Sequence, residues 1–327
     1  MNITNFFLDP QTKRLRGGWR ALAFLFVLTL PQWLMSLLFK SSQTKTSAIF
    51  EVSGAMIFAY AVLVVWVVLI SWLCLQFLDH LSLRSLGFAL HRNWRQELLF
   101  GFAIGAAMIA AIVTLQVIGG GTRVILNPVW WKGSSIDSAG LLLTGKDVLL
   151  ALALLIIAAV FEELAFRGYA FQTLLRGAHP IVPILLLSIY FGYGHWENPS
   201  RTFFSTANTV LAGVWLAVAY LKTRSLWLPT ALHFGWNWTM GAVFGLPVSG
   251  LSIPRNSILA STNGAPLWLT GGSYGPEGGA VATIIVIVST LFIWRVNWFG
   301  VAPDMQATLT ETAQAEDSII RLNLQNE

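Results

Sequence analysis

Two adjacent glutamates and an arginine lie inside an apolar run near the middle of the chain. The run reads DVLLALALLIIAAVFEELAFRGYAF and contains Glu162, Glu163 and Arg167. Ionisable side chains at membrane depth are costly to bury and normally face a protein interior or a cavity, so they indicate a functional site. Glu163 and Arg167 stand four residues apart with the acid first, which is the favourable order for a helical ion pair. Glu162 points about 100° away around the helix and is therefore the candidate general base.

Two further apolar segments carry side chains that could work with this carboxylate. His195 stands in SIYFGYGHWENP, and His233 and Asn237 stand in LPTALHFGWNWTMG. His233 and Asn237 are four residues apart and project from one face of a helix. A carboxylate and an imidazole can take a proton from water, and fixed donors can stabilise the oxygen of a tetrahedral intermediate. These residue types predict hydrolysis by an activated water.

Depth along the helices predicts that these groups meet. We expect an antiparallel hairpin that turns near residues 177–180, so Glu162 and His195 each lie about 16 residues, or about 24 Å, from the turn. By the same rise per residue, His233 and Asn237 lie about 13 Å and 19 Å along the returning helix of the next hairpin. The four groups are therefore expected at compatible depths on neighbouring helices.

Composition places these residues in a membrane protein. The chain has 327 residues, of which 55% are hydrophobic and 11% are charged, and its mean hydropathy is +0.66. Soluble domains carry about 25% charged residues. The net charge of +5 comes from residues scattered in short loops without a basic stripe, so we expect no nucleic-acid partner. The single cysteine excludes an intramolecular disulfide.

We predict an all-α fold, a polytopic membrane helical bundle with about eight transmembrane helices. The apolar segments bracket the roughly 20 residues that a membrane helix needs. They span residues 20–39, 54–78, 98–118, 147–170, 181–195, 205–221, 226–245 and 280–297. Residues 1–300 are expected to form one membrane-embedded domain with its motif core at 147–245, followed by a polar cytoplasmic tail at 301–327.

The loop charges predict the orientation of the bundle. With a cytoplasmic N-terminus, the inner loops carry a modest excess of Lys and Arg over the outer loops, as the positive-inside rule requires. The basic start of the chain resembles the n-region of a signal peptide, but the apolar run that follows is too long and has no cleavage site. We therefore expect an integral protein of a prokaryotic plasma membrane with both termini in the cytoplasm.

Taken together, the motifs resemble those of the CAAX-protease and bacteriocin-processing (CPBP, or ABI) family of intramembrane proteases. The signatures of that family are Glu-Glu-xxx-Arg, Phe-xxx-His and His-xxx-Asn/Asp on successive core helices. In this chain they stand as Glu162-Glu163-xxx-Arg167, Phe191-xxx-His195 and His233-xxx-Asn237. Every motif position fits, over residues 147–245, and the eight-helix layout is a less specific likeness.

The resemblance implies an intramembrane endopeptidase of the CAAX prenyl protease type, acting on a membrane-associated peptide or protein within the lipid bilayer. The implied catalytic roles are water activation by Glu162 and His195 and oxyanion stabilisation by His233 and Asn237. The pair formed by Glu163 and Arg167 would orient the site and balance its charge.

The cofactor stays open at this stage, because both a glutamate-type and a metallo-type enzyme fit the residues. Glu162, His195 and His233 are acceptable Zn²⁺ ligands that leave a fourth position for water. The chain has no His-Glu-xx-His pair. We therefore expect either no cofactor or a zinc ion, and we favour a metal-free mechanism.

Two other functions are compatible with the same sequence. A catalytically silent membrane scaffold or immunity-type partner would keep the fold without the chemistry. A transporter would use Glu162 and Glu163 as proton or cation sites, although repeated halves and broken helices are not evident. A single membrane histidine more often packs than catalyses, but five polar residues at compatible depths favour the hydrolase.

Features outside the motifs are interpreted as structural. Gly101 and Gly105 form a Gly-xxx-Gly pair that predicts close helix packing within the chain. The glycine-rich segment 269–279 lacks the Lys-Ser/Thr end of a phosphate-binding loop. Four side chains at loops or helix ends are interpreted as solvated surface, namely His91, His179, Glu197 and Asn198.

Overall fold

The computed structural model describes residues 3–10, 13–38, 52–264, 266–307 and 310, and it is a predominantly helical bundle. The structure is 71% helical, which confirms the predicted all-α fold class. The helices found in the described residues are α1 Ile3–Phe7, α2 Gly17–Leu38, α3 Gly54–Cys74, α4 Trp94–Ile118, α5 Ser138–Arg167, α6 Tyr169–Gly177, α7 Ile181–Gly194, α8 Phe203–Thr223, α9 Trp227–Trp238, α10 Leu267–Thr270 and α11 Ala280–Arg295.

Each predicted apolar span overlaps at least one of these helices, but the helices differ in length. Within the described ranges, four stretches are long and apolar enough to cross a membrane, by length and composition. They are Gly54–Asp79, Trp94–Ile118, Ser138–Gly177 and Phe203–Thr223. Shorter apolar helices occupy Gly17–Pro31, Ile181–Gly194 and Ala280–Arg295. The predicted span 226–245 consists of α9 and a π-helical turn at Thr239–Val243.

The fourth span differs from its predicted limits of 147–170 at both ends. Helix α5 begins at Ser138, after Asp137 caps it by accepting a hydrogen bond from the backbone N–H of Ala139 at 3.1 Å. It ends at Gly168, where a Cβ atom would lie 2.2 Å from the carbonyl oxygen of Leu164. The chain then starts a new helix, α6. The turn lies between α6 and α7, near 177–180 as predicted, but the stretch before it consists of two helices rather than the one continuous helix used for the depth estimate.

Close backbone contact between α4 and α9 fixes the position of the helix that carries His233. A Cβ atom added at Gly105 would lie 2.3 Å from the carbonyl oxygen of Leu232, and one at Gly101 would lie 2.9 Å from that of Leu228. Only glycine fits such an approach. The close packing predicted for this glycine pair is confirmed.

Short strands join the segments between the long helices. Strand β1 (Thr122–Leu126) pairs antiparallel with β4 (Leu259–Asn263), and β2 (Trp131–Lys132) pairs with β3 (Ser135–Ile136). The β1–β4 pair connects the segment before α5 to the segment between α9 and α11. These strands were not predicted from the sequence.

The side chains interpreted as solvated surface divide into three groups. His179 and Glu197 are exposed, as expected. The expectation for His91 was wrong, because this residue is buried, with Nε2 lying 3.1 Å from Ser225 Oγ. Burial also lowers the pKa of His91 below its ordinary value. Asn198 is half-buried and hydrogen-bonded.

Part of the sequence prediction concerns residues that the structure does not describe. Most of the predicted polar tail, beyond 301–307 and residue 310, lies outside the described residues. The same holds for residue 39, at the end of the first predicted span.

Candidate active site

A cavity of about 1060 Å³, hereafter the main cavity, lies between α5, α7, α8 and α9. Its volume is at the upper end of the roughly 300 to 1,000 Å³ of typical ligand pockets, so it has room for a segment of peptide. Its lining includes all of the predicted catalytic residues, namely Glu162, His195, His233 and Asn237. The structure therefore brings the three motifs to one cavity, while the catalytic role of each residue stays a prediction.

Glu163 is the centre of a buried network that joins three helices. Its side chain is fully buried, and Oε1 accepts hydrogen bonds from Arg167 Nη1 at 3.1 Å and from His233 Nδ1 at 2.9 Å. Arg167 Nη2 donates in turn to the carbonyl oxygen of Gly213, at 3.0 Å. The i,i+4 ion pair expected from the sequence is therefore present, and it ties α5 to α8 and α9.

Glu162 has a different environment from its neighbour. Its side chain is 23% exposed, and Oε2 lies 3.7 Å from His233 Nε2. That oxygen is buried and has no hydrogen-bond partner among the described residues. Glu163 Oε2 is buried and unpartnered as well, so Glu162 is set apart by its place in the lining of the main cavity, where its carboxylate can meet water or a polar atom of a ligand.

His195 lies at the C-terminal cap of α7, with one ring nitrogen fixed. Nδ1 is 2.8 Å from the carbonyl oxygen of Phe191. Because a carbonyl oxygen only accepts, Nδ1 carries the proton, and Nε2 of the neutral ring is a free proton acceptor. The Phe191 ring lies 4.7 Å from the His195 ring and 6.1 Å from the His233 ring, between centroids. Phe191 therefore packs against both imidazoles of the site.

His233 and Asn237 present their polar atoms from α9. Because His233 Nδ1 is bonded to Glu163, only Nε2 remains to face Glu162. Asn237 is half-buried, lines the main cavity and makes no hydrogen bond with the described residues. Its amide group is therefore available to a ligand.

The predicted zinc ligands Glu162, His195 and His233 all line the main cavity. In the part of the chain that the structure describes, no group of three or more His, Cys, Asp or Glu side chains could hold a metal ion. Whether Glu162, His195 and His233 hold a zinc ion stays a prediction. No step proposed below is routed through a metal.

Sequence reasoning missed three other polar residues of the main cavity, namely Asn198, Ser249 and Glu277. Asn198, Ser249, Glu277 and Trp236 all line it and are hydrogen-bonded to one another. Asn198 was interpreted as surface, and the loop that contains Glu277 was considered only for phosphate binding. The one sequence feature that could have indicated Glu277 is that it is the single acidic residue of the glycine-rich segment 269–279.

Within the described residues, the fold contains four helical stretches long and apolar enough to cross a membrane, and the main cavity is lined by polar side chains of all three motifs. Residues 144–239 match the family model described as type II CAAX prenyl endopeptidase Rce1-like. The matched segment contains all three motifs and is consistent with the CPBP family suggested by the sequence. No curated protein sequence matches the chain. The family match supports a CAAX protease-type enzyme in general, with a membrane-associated substrate.

Proposed function

We propose that the protein is an intramembrane endopeptidase that hydrolyses a peptide bond of a membrane-associated protein or peptide. The observation that carries the proposal is the unequal environment of the adjacent glutamates. Glu163 is fully buried, ion-paired with Arg167 and bonded to His233, whereas Glu162 is 23% exposed, lines the main cavity and comes no closer to His233 than 3.7 Å. Two carboxylates in different environments can take different roles, one structural and one catalytic.

Glu162 is proposed as the general base, with His195 as the second proton acceptor. The water oxygen would bond to the carbon of the scissile carbonyl while its proton passes to Glu162. The carbonyl electrons move to the oxygen and form a tetrahedral intermediate. When the carbon–nitrogen bond breaks, the proton passes from the site to the leaving nitrogen. The new carboxylic acid then releases the second proton of the water, and His195 Nε2, which is free to accept, can take it.

His233 and Asn237 are proposed as the donors that stabilise the oxyanion. Asn237 contributes an amide N–H with no competing partner among the described residues. His233 would donate through Nε2. Because Nδ1 donates to Glu163, a proton on Nε2 makes the ring an imidazolium that lies between two carboxylates. Charge-assisted donors of this kind form the stronger hydrogen bonds.

A metal-free mechanism is the proposed subtype. Its support is that Glu162, His195, His233 and Asn237 around the main cavity supply both the proton acceptors and the oxyanion donors that hydrolysis needs. Metal content and cleavage should be measured on the same purified sample. A metal-free sample that cleaves supports the glutamate mechanism, whereas about one bound zinc per chain and loss of cleavage with a chelator would support a metalloenzyme.

The domain limits and orientation are proposed as the sequence suggests. Residues 1–300 would form the protease-like domain, with the tail at 301–327 and both termini in the cytoplasm of a prokaryotic cell. The excess of basic residues in the inner loops supports this topology. A reporter fused after Glu327 that is active only on the outer side would refute it.

The proposed activity is tested by comparing membrane peptides from cells that express the native chain or Glu162→Gln. Cleaved termini that appear only with the native chain would identify substrates. A prenylated C-terminal peptide should be assayed first, because the matched family is described as a prenyl endopeptidase. Identical peptide sets from both cultures would favour the silent scaffold instead.

A further inference from the structure

Four polar residues outside the three motifs form a continuous hydrogen-bonded chain along the main cavity. They are Asn198, Ser249, Glu277 and Trp236, and we call them the Ser249 clasp. All four line the main cavity. They come from separate parts of the chain, since Asn198 follows α7, Trp236 lies in α9, and Ser249 and Glu277 belong to the segment between α9 and α11.

Ser249 is the junction of this chain, and all its polar groups are bonded. Its backbone N–H and its hydroxyl donate to Glu277 Oε2 at 2.6 Å and 2.7 Å, and its carbonyl oxygen accepts from Asn198 Nδ2 at 2.9 Å. Ser249 has φ +48°, in the left-handed region that non-glycine residues rarely adopt. The bonds from both sides therefore hold a conformation that serine does not favour by itself.

The turn at Ser249 packs directly against the segment that follows His195. A Cβ atom at Gly250 would lie 2.1 Å from the carbonyl oxygen of Pro199, so the two backbones touch. The Asn198 backbone N–H donates to the carbonyl oxygen of His195, at 3.2 Å. His195 is the cap residue of α7, where the helix no longer constrains the backbone. The clasp therefore restricts the position of the backbone that follows His195, at the end of α7.

Glu277 links the same junction to α9. Its Oε1 accepts from Trp236 Nε1 at 2.8 Å, and Trp236 directly precedes Asn237. The backbone carbonyl of Glu277 accepts from Asn208 Nδ2 at 2.7 Å, which fixes the loop to α8. All the donors to the carboxylate are neutral, and it forms no salt bridge with the described residues. The carboxylate is thus held by three hydrogen bonds.

We propose that Glu277 is a positioning residue of the candidate active site. Through Ser249 and Asn198 it fixes the turn that carries His195, and through Trp236 it fixes α9 beside Asn237. This inference rests on the proposed function, because it assigns Glu277 to the same reaction. A displacement of about 1 Å in a catalytic group can reduce a rate by about 100-fold, so a clasp between the two helices has a direct effect on catalysis.

A substitution of Glu277 should change kcat rather than KM, which distinguishes a positioning residue from one that binds substrate. Three of the roughly four acceptor positions of the Glu277 carboxylate are used inside the protein, so it contributes little to substrate binding. Glu277→Gln keeps the size of the side chain, but its amide NH₂ must face either Ser249 or Trp236, both of which donate. One end of the clasp then opens. We expect kcat to fall about 10-fold or more and KM to change little.

Glu197→Gln is the matched control. Glu197 is exposed near the end of α7 and makes no hydrogen bond with the described residues. Glu197 also lines the main cavity, so the control removes the same charge at the same cavity without breaking a hydrogen bond of the clasp, and its kcat should stay close to that of the native chain. Trp236→Phe opens the other end of the clasp. If the clasp acts as one unit, Glu277→Gln combined with Trp236→Phe should lose little more than the more severe single variant.

A second measurement does not depend on cleavage. Hydrogen–deuterium exchange at the Ser249 backbone N–H should be faster in Glu277→Gln than in the native chain, while Glu197→Gln should match the native chain. If Glu277→Gln does not fold, Ser249→Ala replaces it, because this variant removes only the hydroxyl bond. Its kcat should fall by a smaller factor, about three-fold.

The outcomes separate this inference from the function on which it rests. Native protein that cleaves its substrate, together with an unchanged kcat and unchanged Ser249 exchange in folded Glu277→Gln, would overturn the role of Glu277 alone. Native protein that cleaves no membrane peptide would overturn the proposed function, and faster Ser249 exchange would then show only that the clasp holds the turn.

Discussion

Two buried charge clusters in this protein use similar residue types but differ in their balance of charge. The first surrounds Asp79, at the end of the helical stretch that continues α3. Asp79 Oδ1 is paired with Arg20 of α2 and, at 3.0 Å, with Arg176 of α6. Two arginines thus meet one carboxylate. Asp79 does not line the main cavity.

The second cluster reverses this balance. Two carboxylates, Glu162 and Glu163, share one guanidinium, that of Arg167, and one imidazole, that of His233. Glu163 takes both short contacts, and Glu162 is left beside the main cavity. An excess of cations with no cavity fits a cluster that holds helices together. A carboxylate left over at a cavity fits one that does chemistry.

The largest effect is expected when the carboxylate of Glu162, which lacks a short contact in the second cluster, is neutralised. Glu162→Gln should reduce kcat by about 10³-fold, within the range of about 10² to 10⁴ for general bases. Stability should be unchanged, because Gln is nearly isosteric and removes a buried charge. Cleavage kinetics and thermal melting in detergent would measure the two quantities.

Glu163→Gln is the matched control for this experiment. It changes the neighbouring residue in the same way but removes the charge that faces Arg167. Its main effect should therefore be a lower melting temperature, and any loss of kcat should be secondary. If instead Glu162→Gln melts early and Glu163→Gln does not, the roles of the two glutamates have been assigned in the wrong order.

Arg167→Leu should produce the next largest effect, this time on folding. The guanidinium is almost fully buried between Glu163 and the carbonyl oxygen of Gly213. Removing it takes the guanidinium from a fully buried carboxylate that keeps only its bond to His233, and breaking a buried ion pair costs about 3 to 5 kcal/mol. Denaturant unfolding in detergent would measure the loss.

Arg167→Lys gives a comparison with the charge retained. Lysine cannot reproduce the two-sided contact of the guanidinium with Glu163 and Gly213, so an intermediate loss is expected. Equal stability of the leucine variant and the native chain would mean that solvent, rather than Glu163, neutralises the arginine.

Asn237→Ala tests whether the open side of the second cluster acts on the reaction itself. The amide has no protein partner to lose, so the melting temperature should stay constant. If it donates to the oxyanion, kcat should fall about 10²-fold, or about 2.7 kcal/mol. Loss of stability without loss of rate would make Asn237 a packing residue.

The sequence was sufficient for the features that depend on local spacing. Apolar runs predicted the helices, because a membrane helix needs little more than length and hydropathy. The i,i+4 spacing predicted the pair of Glu163 and Arg167, and Gly101 and Gly105 predicted close packing. All of these are properties of one helix or one helix face.

Features that depend on contacts between distant segments were missed. Glu163 and His233 are 70 positions apart, and nothing in the spacing indicated which imidazole would bond to which carboxylate. The burial of His91 depends on Ser225, and the bonds of Glu277 depend on three segments that fold onto one another. The break at Gly168 arises from a steric contact that one residue type allows.

The smallest effect is expected for Asp79→Asn, which tests directly whether the two clusters have different roles. Asparagine keeps an acceptor for Arg20 and Arg176 but removes the charge they share. The arginine side chains are 14% and 19% exposed, so water partly compensates, and we expect a loss of about 1.5 kcal/mol, at the low end for hydrogen bonds to charged groups. The cleavage rate per folded molecule should not change, because Asp79 is away from the main cavity. A cleavage rate as low as that of Glu162→Gln would contradict this expectation. The different balance of acidic and basic side chains would then not explain why one cluster is catalytic and the other structural.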